Sequence, residues 1–430
     1  MLFKDIAILD ENFNYKENMY VGVSGDKILY VGETDSEIDF GEVYQGKGKL
    51  LMPGFFNIHA HSPMTLMRGY GENMQLQDWL FNRIFPFEAH LTGESVYYAT
   101  LLAMAESLKN GIVSTSDMYY LCEDMIKAAD EAGCKMNVSR SITNFDDVAL
   151  SETIAGIEMK SLFKNYNGAS EGKITVEMSL HGEYTNTERT AFELAELAKS
   201  LDAGMHVHVS ETKKETEECK ERHGGKTPVE YLANLGIFDT RTVAAHCVHL
   251  EENDFEILKK KNVHVAVNAT SNLKLASGVC NVAGLLNKGI NVGIGTDSVA
   301  SNNNLDFLEE MKIFAIAPKM YYNNPSEITV KQVISAATRS GALAQGRRDS
   351  GILKEGMKAD LIVVDISSCH MQPAYDVLAN LVYSASGADV IMTMVDGKIL
   401  YNLGEFKTLD IEKVIFNVRR ETENILNKLK

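Results

Sequence analysis

Residues 53–63 read PGFFNIHAHSP: a proline-glycine break, an apolar run, then His59 and His61 one residue apart. In an extended strand, residues two apart project to the same side, so the two imidazoles face one point. The pair has two readings, barrel-lining histidines or half of a metal site, and the rest of the chain decides between them. Seven more short apolar runs follow: VSTSDM, KMNVSRS, TVEMSLHG, MHVHVSE, TVAAHCV, VHVAVNA and NVGIGTD. Between them lie amphipathic patterns such as YYATLLAMAESLKNG and TAFELAELAKSLDAG, with apolar residues three and four apart and a glycine close at the end, as in helices with left-handed caps. Eight strands alternating with helices over residues 53–350 predict a (β/α)8 barrel. A doubly wound sheet is the competing architecture, but no GxGxxG follows the first strand.

The flanks differ in texture. Residues 1–52 contain LFKDIAILD, YVGVSGDKILYVGE and VYQGKGKLLMPG, which alternate like strands between Gly and Asp turns. Residues 351–430 repeat the pattern in GILKEGMKADLIVVDI and VIMTMVDGKILYN, then close with the amphipathic helix DIEKVIFNVRRETENILNKLK. Each flank is too short for a good sheet alone. They are predicted to pair with each other as one small β-sandwich domain split around the barrel.

Composition narrows the function. With 430 residues, 45% of them hydrophobic, the chain can bury a large core. A net charge of −17 with no basic patch argues against nucleic acid as a partner. Six cysteines without a CxxC pair suit a reducing, cytoplasmic setting. The first residues carry charges every few positions, so neither a signal peptide nor a membrane span is expected.

The chemistry is expected at the C-terminal ends of the strands, where barrel enzymes build their sites. His208 closes MHVHVSE, His246 sits in VAAHCVH, and Asp297 ends GIGTDS. Three imidazoles and a carboxylate suit one Zn2+, with Fe2+ as the alternative, and leave a position for water. Water on such a cation has its pKa lowered towards about 7. Glu211, three residues after His208, can reach from the rim as a proton shuttle. His206 is assigned a supporting place beside His208, and SNNNLD after Asp297 is expected to fix that loop.

PGFFNIHAHSPM, HVHVSE, AAHCVHL, NATSNLKLASG, GIGTDSVASNNNLD and GILKEGMKADLIVVD together resemble the amidohydrolase superfamily. The resemblance spans nearly the whole chain. It points to the branch of adenosine-type and chlorotriazine-type enzymes, and within that to the 5-methylthioadenosine/S-adenosylhomocysteine deaminases. It implies that His59, His61, His208 and Asp297 bind one divalent ion, that His246 hydrogen-bonds the attacking water, that Asp297 takes its proton, and that Glu211 protonates the ring nitrogen beside the attacked carbon. The reaction implied is hydrolytic deamination of an adenosine-like nucleoside: 5-methylthioadenosine, S-adenosylhomocysteine, adenosine or 5-deoxyadenosine. Deamination of another aminated heterocycle, such as guanine, a pterin or cytosine, is the alternative, as is a chlorohydrolase on the same scaffold.

The resemblance also implies substrate contacts. Trp79 would cover the purine and Glu88 would accept from the ribose hydroxyls, in the lid-like LQDWLFNRIFPFEAHLT. His181 would contact base or nucleoside, and Arg140 would face a homocysteine carboxylate. A small-molecule substrate and a homo-oligomer follow from the same likeness. HGEYTNT departs from the usual small residue and proline after the histidine, and a second arginine beyond Arg140 is missing where DDVALSET stands. An anionic substrate tail is therefore less welcome there.

Overall fold

The computed structural model describes residues 1–74 and 76–430. Strands β1 (Leu2–Leu9), β2 (Tyr15–Ser24), β3 (Lys27–Gly32), β4 (Val43–Gln45) and β5 (Lys49–Pro53) come first. The barrel strands are β6 (Phe55–Ala60), β7 (Ile112–Tyr119), β8 (Lys135–Ile142), β9 (Ile174–Leu180), β10 (Met205–Val209), β11 (Thr242–His246), β12 (His264–Val267) and β13 (Asn291–Ile294). Then β14 (Leu361–Asp365), β15 (Val390–Val395), β16 (Lys398–Asn402) and β17 (Glu405–Phe406) return to the first sheet.

Strands β6 to β13 pair in sequence order, all parallel. A parallel bridge between Ala60 and Asp297 joins the first strand to the segment after the last, with the Asp297 amide donating to the His59 carbonyl at 3.0 Å. The strands are buried on nearly every residue because helices cover the outside and side chains fill the inside, hence their continuous apolar runs.

The flanks join as anticipated. β14 pairs antiparallel with β5, from Leu361 opposite Pro53 to Asp365 opposite Lys49, within one sheet ordered β17-β16-β15-β14-β5-β1-β2-β3, with β4 on β1. Period-two alternation splits this sheet between two cores. Leu50, Met52, Ile362 and Val364 pack into the main core with the barrel, whereas Phe3, Ile8, Leu51, Leu361 and Val363 face a second core of their own. That second core draws its buried residues from the same sheet and the 353–359 turn, so the sheet curls over itself.

Gly54, between β5 and β6, lets the backbones meet: a Cβ there would lie 2.3 Å from Val113 Cγ1. The helix Ile411–Lys428 packs outside the barrel on the helix Gly93–Lys109. One expected cap differs. The helix Glu188–Leu201 ends on Asp202 in the left-handed region, φ 50°, and not on the later glycine; Asp tolerates this backbone better than most residues. Among the described residues, no helix is long and apolar enough to cross a membrane.

Candidate metal centre and active site

His59 belongs to β6 and His61 follows it; His208 and His246 lie at the ends of β10 and β11; Asp297 follows β13. The structure brings all five together. One ligating atom from each of His59, His61 and His208 fits within 4.8 Å of the others, and the same holds for His59, His246 and Asp297. Asp297 Oδ1 is 3.3 Å from His61 Nε2 and 3.6 Å from His59 Nε2.

Each imidazole is held by its other nitrogen. His61 Nδ1 lies 2.6 Å from the Met118 carbonyl and His208 Nδ1 2.6 Å from the His181 carbonyl. A carbonyl only accepts, so both rings carry a proton on Nδ1 and point Nε2 at the shared centre. His59 Nδ1 instead meets His206 Nε2 at 2.9 Å. The expected partnership of His206 with His208 is thus corrected: two strand neighbours on one face sit at different depths, and the deeper one reaches across to His59.

Sequence reasoning missed the bracing on the loop after β12. Asn272 Oδ1 lies 2.8 Å from His246 Nδ1, and Ser271 Oγ donates to Asp297 Oδ2 at 2.6 Å. The Ser298 amide donates to Asp297 Oδ1 at 2.7 Å. The signal was the polar run NATSNLK, whose side chains were left open between lining the pocket and shaping the loop. As expected for the asparagines after Asp297, Asn302 Nδ2 donates to the Thr296 carbonyl at 2.9 Å.

Backbone strain concentrates here. Ser210, His246, Cys247 and Asp297, all with side chains, take φ of 51°, 74°, 49° and 59°. Such residues cost about 1–3 kcal/mol each, and they turn the strand ends so that the side chains converge. Gly295 is needed beneath them, since a Cβ there would stand 2.5 Å from Asn268 Oδ1 and 2.9 Å from His59 Cβ.

The electrostatics call for a cation. Burial holds His59 neutral, pulling its pKa down to about 3. At His61 burial works the same way, but the Asp297 carboxylate outweighs it and lifts the pKa to about 8. The centre therefore favours a positive charge beside Asp297 within a ring of lone pairs. His59 Nε2, fully buried, has no hydrogen-bond partner. A buried acceptor without a donor is costly unless a cation meets it, so the donor set fits a divalent metal ion of the kind that takes nitrogen and oxygen ligands.

Glu211 sits beside this cluster, with Oε2 3.8 Å from His246 Nε2. Burial raises its pKa, opposed by the His246 charge. Its backbone amide donates to Glu215 Oε2 at 2.7 Å, part of a capping box between Thr212 and Glu215 that starts the helix Lys213–Arg222. The cap fixes the loop from which Glu211 projects.

A cavity of about 650 Å3 opens above the cluster. His61, His208, His246, Asp297 and Glu211 line its floor, and Trp79, Glu88 and His181 its sides. Trp79 and Glu88 come from a lid that runs through a helical turn (Leu76–Trp79), one π-helical turn (Leu80–Ile84) and another helical turn (Phe85–Glu88). π turns recur at functional sites. Glu88 accepts from the Tyr119 hydroxyl at 2.6 Å, and burial pushes its pKa up to about 7. His181 Nδ1 lies 3.1 Å from Thr185 Oγ1, and burial lowers its pKa to about 4.

Arg140 is the exception among the expected contacts. It is absent from the cavity wall; its Nε donates to Glu158 Oε2 at 2.5 Å and its guanidinium lies over the Tyr120 ring, 4.9 Å from the centroid. An ion pair with Glu158 takes the place of the expected contact with a substrate carboxylate.

Residues 50–400 match the amidohydrolase family model. The chain belongs to the amidohydrolase family. It is 40% identical over 428 residues to a 5-methylthioadenosine/S-adenosylhomocysteine deaminase of Caldanaerobacter subterraneus subsp. tengcongensis, covering 99% of this chain and 98% of that protein. A 5'-deoxyadenosine deaminase of Methanosarcina acetivorans is 39% identical over 421 residues, 98% of this chain and 96% of that one. Among solved structures, a zinc-bound adenosine deaminase from Xanthomonas campestris superposes with a TM-score of 0.93 at 29% identity, covering 99% of this amidohydrolase and 98% of that chain.

Proposed function

We propose that this amidohydrolase is a metal-dependent hydrolytic deaminase of adenosine-like nucleosides. The observation that carries the reading is the buried Glu211 carboxyl, 3.8 Å from His246 and facing the same cavity as the histidine and aspartate cluster, with Glu88 on the cavity's other side. His59, His61, His208 and Asp297 would hold a single Zn2+ ion. When bound, such an ion acidifies water and so supplies a hydroxide nucleophile at neutral pH.

The chain's own residues do the rest. His246, oriented through Nδ1 by Asn272, presents Nε2 to hydrogen-bond the attacking water. Asp297 accepts the water's proton on the oxygen not engaged by Ser271. Attack at the aminated ring carbon breaks aromatic stabilisation unless the neighbouring ring nitrogen gains a proton as the C–O bond forms. Glu211, kept protonated to higher pH by burial, supplies it. The proton held by Asp297 then passes to the amino group, and as the new hydroxyl returns its proton to Glu211 the C–N bond breaks, releasing ammonia and leaving a ring carbonyl. Trp79 covers the base and His181 contacts it, while the Glu88 oxygen not taken by Tyr119 accepts from the ribose diol.

The relatives named for nucleoside deamination support the substrate class. The test is ammonia release by purified, zinc-loaded protein across adenosine, 5'-deoxyadenosine, guanine, a pterin and a chlorotriazine. Turnover concentrated on the adenosine nucleosides is expected. Preference for a free base or the triazine, or no bound divalent ion after purification and zinc addition, would overturn the proposal.

A further inference from the structure

Outside the inner cavity lies a wider chamber, about 1430 Å3 with its open mouth. Leu80, Phe85, Glu88, Tyr120, His181 and Tyr184 line both, so the two meet at a neck. On the deaminase reading, on which this inference rests, a nucleoside enters ring first, its ribose stops at Glu88, and whatever its 5' carbon bears projects through the neck.

The chamber beyond is aromatic. Phe81 and Phe145 border it and remain 62% and 69% exposed, and Phe81 packs edge-on against Phe85 with ring centroids 5.3 Å apart. Large aromatic faces left open to water around a concavity gain from covering by an apolar group.

The described cations that line it, Arg222 and Lys214, each face a partner of their own. At the rim, Arg222 donates to both oxygens of Glu183, at 3.2 and 2.8 Å, and His223 Nε2 lies 2.7 Å from the same carboxylate. The Glu183 side chain is only 2% exposed, so drawing Arg222 away would leave a buried charge uncompensated. Lys214 lies 3.6 Å from Glu218 and donates to Gln77. Behind the wall, Arg140 is bound to Glu158 with its guanidinium against the Tyr120 ring. A carboxylate brought into the chamber would lose water, meet Glu88 and Glu218, and find no cation without a partner among the described residues that line it. The net charge of −17 adds a general repulsion.

We infer that the outer chamber selects nucleosides by their 5' substituent, accepting a neutral apolar chain such as a thioalkyl group and turning away one of the same length that ends in a carboxylate. The test compares adenosine, a 5'-butylthio derivative and its 5'-(3-carboxypropyl)thio counterpart by kcat/KM for ammonia release. The neutral thioether is expected to exceed the carboxylate at least tenfold. Phe145→Arg, which sets an uncommitted cation at an exposed position, is expected to cut that ratio at least threefold. Equal rates on the two thioethers, or a ratio that Phe145→Arg leaves unmoved, would overturn this inference while the deaminase reading stands. No ammonia from any of the three nucleosides would overturn the deaminase reading, and this inference with it.

Discussion

The floor of the cavity and its outer chamber are built on opposite plans. On the floor, the four histidines and Asp297 each have a second partner that fixes their direction: a carbonyl for His61 and His208, His206 for His59, Asn272 for His246, and Ser271 for Asp297. In the chamber, aromatic rings stand open and the charges neutralise one another. The floor buys geometry fine enough for bond making. The chamber needs only shape and polarity, so residues that line it alone, such as Phe81 and Phe145, can change without touching the chemistry.

On that division, substitutions on the floor are expected to cost orders of magnitude. The largest effect is expected from Asp297→Ala: loss of the bound divalent ion by elemental analysis, and a fall in kcat/KM of at least about a thousandfold. Glu211→Gln separates proton delivery from ion retention. Metal content is expected to hold while kcat falls by about 10²–10⁴; a loss of metal instead would show that Glu211 belongs to the ion's own cage.

The bracing residues should rank next. His206→Leu removes the partner of His59 Nδ1, and Asn272→Leu the nearer of the two asparagines at His246 Nδ1. Losses of about 10–100-fold are expected, in metal affinity for the first and in kcat for the second. Measuring both quantities for both variants tells bracing apart from general damage, which would move them together.

Acid-dependent stability offers a subtler contrast. Glu310, buried beneath the loop after Asp297, accepts from the Thr270 amide at 3.0 Å and from Asn302 Nδ2 at 2.9 Å. Burial lifts its pKa from 4.5 to about 7. Because the folded form holds its proton more tightly than the unfolded chain, the stabilisation is complete below about pH 4.5 and is lost as pH rises through 7. Glu310→Gln is expected to flatten the slope of unfolding free energy between those values in urea melts, and an unchanged slope would assign that dependence elsewhere.

The smallest effect should come from Arg140→Met. With the guanidinium outside the cavity, kcat/KM on adenosine is expected to change less than about threefold, and stability by no more than about 1 kcal/mol for a partly exposed ion pair. A large rise in KM would bring Arg140 back to the substrate.

These ranks follow what could be read from the chain. The barrel was legible because polar residues at strand ends stand out against apolar runs, and His59, His61, His208, His246 and Asp297 each carry that mark. The pairing of the flanks was legible from two matching textures. Arg140 was not, since its alternatives differ only in whether Glu158, a turn into the next helix, comes within reach. Nor was the choice of His59 by His206, which depends on depth inside the barrel and leaves no trace in spacing. The hydrogen bonds of Asn272 and Ser271 link loops whose approach only the closed barrel creates.

The pairing of β5 with β14 has a consequence for how the molecule is made. The strand that leads into the barrel ends at Pro53, and its neighbour begins only at Leu361. A ribosome emitting this chain from its amino end would expose β1 to β5 with one edge waiting throughout synthesis of the barrel. The catalytic body can close before the small sheet does. The last strands then act as a latch thrown after the engine is assembled, and the edge they cover is where a stalled or truncated chain would stick to its neighbours.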